Sequence, residues 1–199
     1  MDSRTLAFYE GNSQRLSILY GSADMRRFYE SVNSLLQGEG RVLDVGCGEG
    51  RDVRALAQMG YEVVGCDASK AMIEIARSKA VGLNDLYLVR KFPVEMNDAL
   101  FQWSFDLVYS HAVIMHLPRS EREHMLCQLV QLVREGQYLI LSWCNRASAD
   151  ERVYEMVEPS EVIQFLKDKG LSIFSRGEED DSLGREVRWQ NIIARKPSR

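Results

Sequence analysis

The sequence lacks the signatures of several specialised protein classes. Its 199 residues hold four cysteines, none in a C-x-x-C pair, which argues against a disulfide framework and a cysteine-rich zinc site. No apolar run approaches the ~20 residues that a bilayer span needs. Residues 1–4 lack the basic and apolar regions that open a signal peptide. We therefore expect a soluble, cytoplasmic protein with free thiols and no membrane partner.

An excess of basic charge is also absent. The chain carries 25 Lys and Arg against 29 Asp and Glu, for a net charge of −4, whereas nucleic-acid-binding proteins usually present a basic surface. We expect no nucleic-acid partner. The acidic run at residues 178–181 is interpreted as a solvated loop. Apolar residues make up 45% of the chain, which is typical of a globular protein, and the length favours a single domain over residues 1–199.

Helical and strand patterns alternate along most of the chain. Residues 1–40 predict a helical N-terminal segment, in which Asp24 begins a helix that ends at Gly38. Short apolar runs then predict strands at 42–45, 61–66, 86–89, 105–110, 138–143, 171–175 and 187–194. Helices are predicted at 51–59, from Ser69 to about Gly82, at 94–102, from Ser120 to Gly136 and at 159–170.

This order predicts the fold class. Strands that alternate with helices form right-handed crossovers and a mostly parallel sheet. No helical pattern separates the last two strands, so they should pair antiparallel. A capping box of Ser120 and Glu123 is expected to open the long fifth helix. We predict an α/β, doubly wound, seven-stranded sheet in three layers, with an antiparallel last strand and ligands at the carboxyl ends of the strands.

A glycine-rich loop follows the first strand. Gly46, Gly48 and Gly50 alternate there, and a helix begins at Arg51. Glycines let a ligand approach bare main chain, and a helix N-terminus favours a nearby anionic group. The spacing matches neither the dinucleotide fingerprint, whose third glycine would fall at Arg51, nor a P-loop. Asp67 ends the second strand and could accept hydrogen bonds from ribose hydroxyls, which NAD and S-adenosylmethionine both carry.

Four segments resemble the class I S-adenosylmethionine-dependent methyltransferases. They are the glycine loop from Asp44, the segment from Asp67 to Met72, the fourth-strand region 105–118, and residues 135–141 before the fifth strand. The resemblance covers roughly residues 41–145 at the level of the superfamily. It implies S-adenosyl-L-methionine as cofactor, S-adenosyl-L-homocysteine as product, and methyl transfer as the reaction.

The resemblance also implies roles for particular residues. Asp44 and the glycine loop would hold the methionine part of the cofactor, Asp67 the ribose, and Ala68 and Met72 the adenosine. The acidic residue that the family often carries after the third strand is missing from residues 89–93, so backbone near Phe92 is expected to read the base. The full set of cofactor-binding candidates is Asp44, Gly46, Cys47, Gly48, Arg51, Asp67, Ala68, Met72, Phe92, Ser110 and Tyr20. Tyr20 would act from residues 1–40 as part of a lid.

The reaction type itself demands no fixed catalytic residue. Methyl transfer from a sulfonium depends mainly on alignment, and a general base is needed only if the acceptor keeps its proton. His111 begins the loop beside the expected methyl group and is our candidate base; a hydrogen-bonded loop histidine is the alternative. His116 is expected to pack the loop and His124 to face solvent. Their spacing from His111 is poor for metal ligands on one helix face, so no metal site is expected.

The acceptor and the oligomeric state stay open. The N-terminal segment and residues 144–158 and 176–186 should contact the acceptor, which we expect to be a small molecule. Arg146, Arg176 and Arg185 suggest an anionic acceptor, although Arg185 could equally pair within an acidic hairpin. The alternatives are a non-catalytic cofactor-binding module, an RNA or protein methyltransferase and, disfavoured by Arg51, an NAD-dependent oxidoreductase. We expect a monomer or a homodimer.

Overall fold

The computed structural model describes residues 1–80, 82, 86–146 and 149–198. Seven strands form one sheet in the order β3-β2-β1-β4-β5-β7-β6. The strands are β1 (Arg41–Val45), β2 (Glu62–Asp67), β3 (Tyr87–Val89), β4 (Phe105–His111), β5 (Val133–Cys144), β6 (Ser172–Asp180) and β7 (Arg188–Arg195). The helices are α1 (Ser3–Gly21), α2 (Arg26–Leu36), α3 (Arg51–Gln58), α4 (Lys70–Lys79), α5 (Arg119–Leu132) and α6 (Pro159–Asp168), with 3₁₀ turns at Ala99–Gln102 and Ile114–His116. In the described residues no helix is both long and apolar enough to cross a bilayer.

The sheet is covered by helices on both faces. Alternate strand residues point to opposite faces, so Val42 and Leu107 join one apolar core with α2, α3 and α4. Leu43 and Val108 join the other core with α5 and α6. Among the described strands, β7 pairs antiparallel with both β5 and β6, and the other neighbouring pairs are parallel. The predicted doubly wound, three-layer α/β fold with an antiparallel last strand is confirmed.

The capping box predicted for the fifth helix is wrong. Helix α5 begins at Arg119, directly after Pro118, and has no side-chain cap. Glu123 instead pairs with the Arg119 guanidinium at 3.0 Å, one helical turn away. The predicted end at Gly136 is also wrong, because the chain passes straight from Leu132 into β5. Pairing with β4, opposite Phe105, and burial of Val133 draw this segment into the sheet.

Three other local predictions need correction. Helix α2 begins at Arg26 rather than at Asp24, although the Asp24 carboxylate still accepts a hydrogen bond from the Arg26 backbone N–H at 3.0 Å. The short helix at 94–102 is reduced to a 3₁₀ turn, capped by Asp98, whose carboxylate accepts from the Leu100 backbone N–H. The acidic run is not a loop. Residues 178–180 extend the edge strand β6, where the Glu178 carboxylate lies 3.3 Å from the Arg188 guanidinium on β7.

Candidate active site

A cavity of about 830 Å³ opens at the carboxyl ends of the parallel strands. It lies where the strand order reverses, between β1 and β4, the position at which doubly wound sheets bind ligands. Its volume is near the upper end of the roughly 300–1,000 Å³ range of small-molecule sites. One half of the cavity lies over β1 and β2, and the other over β4, β5 and β7.

The glycine loop forms the floor of the first half. The backbone N–H groups of Gly46 and Cys47 both donate to the Cys66 carbonyl, at 2.7 and 3.0 Å. Gly46 has φ +88°, and a Cβ there would stand 2.2 Å from Cγ2 of Val113. Gly48 has φ +54°, with no atom within 4 Å of its Cβ position. Only glycine fits the first position, and the second exposes main chain to the cavity.

Asp67 connects this loop with the start of α4. One carboxylate oxygen accepts from the Gly48 backbone N–H at 2.9 Å, and the other accepts from the Ser69 backbone N–H at 2.8 Å. The Ser69 side chain then caps α4 by accepting from the Met72 N–H. Burial raises the pKa of Asp67 above its usual value, although these backbone donors oppose the shift. The carboxylate is therefore held at the cavity wall by main-chain contacts rather than by an ion pair.

Asp44 is a buried carboxyl group without a partner. Its residue is 2% exposed and lines the cavity. In the part of the chain that the structure describes, its side chain makes no hydrogen bond or ion pair. Burial, together with repulsion from Asp52 and Asp67, raises its pKa well above the ordinary value. Because an isolated buried carboxylate is costly, this position favours a cationic ligand group.

The protein itself occupies the donors of Arg51. Its guanidinium makes a bidentate pair with Asp52 at 2.8 and 2.9 Å and donates to the Tyr20 carbonyl. Burial opposes ionisation of Asp52, but Arg51 and the Tyr29 hydroxyl, which donates at 2.7 Å, lower the pKa of Asp52. Arg51, a cofactor-binding candidate, lines the cavity, and its contacts with Asp52 and the Tyr20 carbonyl tie the end of α1 to α3.

A roof of α1 and residues 149–158 covers the cavity. The buried Arg152 guanidinium donates to the hydroxyl groups of Tyr9 at 3.3 Å and Tyr20 at 2.9 Å, and pairs with Asp150. The Tyr9 hydroxyl also lies 3.2 Å from Nε2 of His116. Sequence reasoning selected Tyr20 but did not select Arg152. A lone arginine in a predicted loop gave no signal of this role, because the contact joins residues more than 130 positions apart.

Glu10 fixes the roof to the cavity rim. Its carboxylate accepts from the first backbone N–H groups of α4, those of Lys70 at 2.7 Å and Ala71 at 3.1 Å. This contact satisfies donors that a helix N-terminus otherwise leaves unpaired, and it adds a favourable charge at that end of the helix. His116 supports the other side of the roof, since its Nδ1–H donates to the Val153 carbonyl at 2.8 Å.

The remaining cofactor candidates divide into two groups. Cys47, Ala68 and Phe92 line the cavity. Met72 lines it as well, and also packs against Phe8 and Leu16 of α1.

Ser110 needs correction, because it is not among the cavity-lining residues. Its register opposite Leu141 places its side chain on the face of the sheet that packs against α5 and α6.

His111 lies in the second half of the cavity. Its ring stacks on Trp189 of β7, with 4.4 Å between ring centroids and an interplanar angle of 25°. Burial lowers the pKa of His111 to about 4, with nearby Arg51 and Arg185 acting in the same direction. The imidazole is therefore neutral at pH 7 and able to accept a proton. Trp189 is a residue that sequence reasoning missed, because only the register between β5 and β7 brings it to this site.

The three arginines that suggested an anionic acceptor do not act together. Arg185 pairs with the buried Asp181 carboxylate at 2.6 Å, as the hairpin alternative proposed. Arg176 lies on the edge strand and does not line the cavity, while the Arg146 guanidinium stacks over the Tyr154 ring.

Comparisons with known proteins agree with this geometry. A sequence model described as a methyltransferase domain matches residues 42–136. The ubiquinone biosynthesis O-methyltransferase of Coxiella burnetii (strain Dugway 5J108-111) is 34% identical over 170 residues, which cover 75% of this chain and 70% of that protein. The chain belongs to the class I S-adenosylmethionine-dependent methyltransferases. A ubiquinone biosynthesis O-methyltransferase of Alkalilimnicola ehrlichii is 28% identical to this chain. The match with our chain spans 61% of that relative's length.

Solved structures show the same fold. The magnesium protoporphyrin IX methyltransferase of Synechocystis PCC 6803 is 22% identical and superposes with a TM-score of 0.74 over 98% of both chains. A Burkholderia thailandensis 1,6-didemethyltoxoflavin N1-methyltransferase reaches a TM-score of 0.77 at 14% identity, over 98% of this chain and 88% of that one. At these identities the likeness concerns the fold alone.

Proposed function

We propose that this protein transfers the methyl group of S-adenosylmethionine to a small-molecule acceptor. The observation that carries the proposal is Asp44, a buried carboxyl group with no partner among the described residues, beside a glycine loop that leaves main chain open to the cavity. The ammonium group of the cofactor is the cation that such a position favours. The cofactor supplies a methyl group already activated on a sulfonium.

The residues of the first half fit the parts of this cofactor. Gly46 to Gly48 would contact the methionine part, with Asp44 facing its amino group. Asp67 would accept hydrogen bonds from the ribose hydroxyls, because its oxygens keep lone pairs beyond the two backbone bonds they accept. Ala68, Met72 and Phe92 would form the adenine side, with Cys47 beside them and Tyr20 above. Arg51 would act indirectly, by holding the end of α1.

His111 is proposed as the group that receives a proton when the acceptor is a hydroxyl. In that case the oxygen–methyl bond forms as the sulfur–methyl bond breaks, and the hydroxyl proton passes to the neutral imidazole. An imidazole whose conjugate acid has a pKa of about 4 is a weak base, so the transfer helps only as the new bond develops and the hydroxyl proton becomes more acidic. Alignment inside the covered cavity supplies the larger part of the rate.

The size of the cavity supports a small acceptor. The roof covers a space of about 830 Å³ that must hold the cofactor and the acceptor together, which suits a small molecule better than an RNA or protein chain. Relatives named as ubiquinone biosynthesis O-methyltransferases point the same way. We further propose that residues 1–199 act as one domain, with residues 1–40 as a lid. A cytoplasmic location and a monomeric or homodimeric state stay predictions.

Two measurements test this proposal. Calorimetric titration with S-adenosylhomocysteine should release or absorb heat, and a folded protein that gives none, or that binds NAD instead, would refute the cofactor assignment. Radiolabelled methyl transfer into separated metabolite, protein and RNA pools should then label metabolites. Label in RNA or protein would replace the small-molecule acceptor, and cofactor binding without label in any pool would indicate a non-catalytic module.

A further inference from the structure

Three polar residues lie side by side on neighbouring strands in the second half of the cavity, and we call this row of directly opposed residues the rung. His111 of β4 lies opposite Ser142 of β5, and Ser142 lies opposite Asn191 of β7. Directly opposed residues on neighbouring strands project to the same face. All three residues line the cavity, so the rung presents a row of neutral polar groups to whatever binds there.

Two members of this rung have unused hydrogen-bonding capacity. The Ser142 hydroxyl and the Asn191 side-chain N–H₂ are buried and find no hydrogen-bond partner among the described residues, and Ser142 as a whole is 4% exposed. Buried polar groups in folded proteins are nearly always paired, and the exceptions call for an explanation. Side-chain adjustment on binding would bring both groups into contact with a ligand at the cavity surface.

Aromatic rings form the walls on both sides of the rung. Phe28 of α2 stacks on Tyr109 at 4.2 Å between centroids, and Trp189 stacks on His111 at 4.4 Å. All four rings line the cavity. Flat aromatic walls favour a planar ring, which can stack or pack edge to face against them.

The charges close to the rung are already neutralised. Arg51 pairs with Asp52 at 2.8 Å, and Arg185 pairs with Asp181 at 2.6 Å. The Trp189 indole N–H also donates to Asp181, at 2.9 Å. An anionic acceptor would gain a counter-ion from Arg51 or Arg185 only by breaking one of these pairs, whereas an uncharged acceptor leaves them intact.

We propose that the Ser142–Asn191 pair forms the acceptor subsite and binds an uncharged aromatic ring through a hydroxyl or carbonyl group on that ring. The inference rests on the proposed methyl transfer and names the substrate class for the same cavity. It differs from the suggestion of an anionic acceptor that Arg146, Arg176 and Arg185 gave. It also assigns a task to two residues that carry no recognisable sequence motif.

Ser110 provides a matched control for Ser142. Both serines are buried, and neither hydroxyl has a hydrogen-bond partner in the described residues. They differ in direction, because Ser142 lines the cavity and Ser110 does not. Removing an unsatisfied buried hydroxyl is nearly neutral or stabilising, so neither Ser142→Ala nor Ser110→Ala should lower the melting temperature. Only Ser142→Ala should weaken acceptor binding.

The experiment uses protein saturated with S-adenosylhomocysteine and three probes. These are 3,4-dihydroxybenzaldehyde, its charged analogue 3,4-dihydroxybenzoate, and the non-aromatic cyclohexane-1,2-diol. Binding is followed by ligand-observed NMR at about pH 6, where the phenols of the aldehyde stay protonated and the benzoate is ionised. The aldehyde should bind most tightly. Ser142→Ala and Asn191→Ala should each weaken it about 5- to 10-fold, the effect of one lost hydrogen bond, while Ser110→Ala and the affinity for S-adenosylhomocysteine stay unchanged.

The possible outcomes separate the subsite from the methyl-transfer proposal. Failure to bind S-adenosylhomocysteine would count against the proposed function itself. Cofactor binding with no preference for the aldehyde, or with none of the three probes bound, would overturn the subsite alone. Equal effects of Ser142→Ala and Ser110→Ala on aldehyde binding would do the same, because they would show a general response to altered packing.

Discussion

The two halves of the cavity are built from different parts of the chain. Over β1 and β2, the binding surface is the main chain of a glycine loop, held by Asp67 through two backbone hydrogen bonds. Over β4, β5 and β7, it is a set of side chains projecting from the sheet, including Ser142 and Asn191, whose polar atoms are unpaired within the described residues. A main-chain surface demands glycine at fixed positions, whereas a side-chain surface changes its specificity with each substitution. The first half therefore suits a constant ligand, and the second a ligand that differs between relatives.

The largest expected effect is in the first half, at Gly46. In Gly46→Ala, the new Cβ would stand 2.2 Å from Val113 at φ +88°, so the loop must move. We expect affinity for S-adenosylhomocysteine to fall at least about 100-fold, because ligand contacts with the displaced main chain are lost together.

Gly170→Ala, outside the cavity, is the matched control for this change. Its φ of +84° is close to that of Gly46, but no atom lies within 4 Å of the new Cβ. It should cost only about 1 kcal/mol of stability. Calorimetry on both variants, with thermal melts to verify folding, measures the difference, and equal losses of affinity would show that crowding at Val113 is not the cause.

Asp67→Ala should have the next largest effect. The change removes the acceptor of the Gly48 and Ser69 N–H groups together with the proposed ribose contact. Affinity for S-adenosylhomocysteine should fall at least ~10-fold, or about 1.4 kcal/mol. The affinity for 3,4-dihydroxybenzaldehyde, which binds in the second half, should change less. Unchanged cofactor affinity would remove Asp67 from the site.

The charge of Asp44 predicts a smaller, pH-dependent effect. Its pKa is raised in the folded protein, so its protonated form stabilises the fold below the ordinary carboxyl pKa, and this contribution is lost as pH rises through the raised pKa. Ligand binding should follow the opposite trend, because the ammonium group prefers the ionised carboxylate. Affinity for S-adenosylhomocysteine should rise with pH by at most about tenfold per unit.

Asn in place of Asp44 isolates this group. Asp44→Asn should reduce both pH trends to the part that Asp67 contributes, because the pKa of Asp67 is also raised and Asp67 still titrates in the variant. Calorimetry at several pH values, in buffers with different ionisation enthalpies, would detect the proton released by Asp44 on binding. A pH slope that is the same in Asp44→Asn as in the unchanged protein would assign the proton to another group.

The smallest change in cofactor binding is expected in the second half. Trp189→Ala should uncover His111 and raise its pKa from about 4 towards the ordinary value near 6.5, as followed by NMR titration of the imidazole. Affinity for S-adenosylhomocysteine should change less than about twofold, since β4 and β5 separate Trp189 on β7 from the glycine loop after β1. Trp103→Ala, at an exposed tryptophan, is the control and should leave His111 unchanged. A His111 pKa that stays near 4 without Trp189 would show that other groups bury it.

The same contrast explains what could be predicted from the sequence. The glycine spacing and Asp67 predict the first half because main-chain binding surfaces need glycine and a fixed carboxylate, and ten of the eleven cofactor candidates do line the cavity. Ser110 fails because strand alternation turns it to the other face. Trp189 and Asn191 reach the second half only through the register of β7 on β5. That register is a tertiary property, which a single sequence does not reveal.

Predictions of helix ends and loops from single residues were wrong where the same residues pair with a neighbouring strand of the sheet. Glycine is common directly after the end of a helix, which is why Gly136 predicts one. Val133 nevertheless pairs with Phe105 of β4 three residues earlier, so the helix has already ended there. The same competition places residues 178–180 in β6 despite their charge. Strand pairing over several residues outweighs a single capping or turn preference.

The contact between Glu10 and α4 has a consequence for the exchange of bound molecules. Any displacement of α1 that uncovers the cavity also removes the carboxylate from the backbone N–H groups of Lys70 and Ala71. When α1 moves away, the N-terminus of α4 beside Asp67 loses the negative charge that balances its dipole. Release of a bound nucleoside is therefore energetically coupled to fraying of the first turn of α4. The amide protons of these two residues should consequently exchange with solvent at the rate at which the enclosure opens.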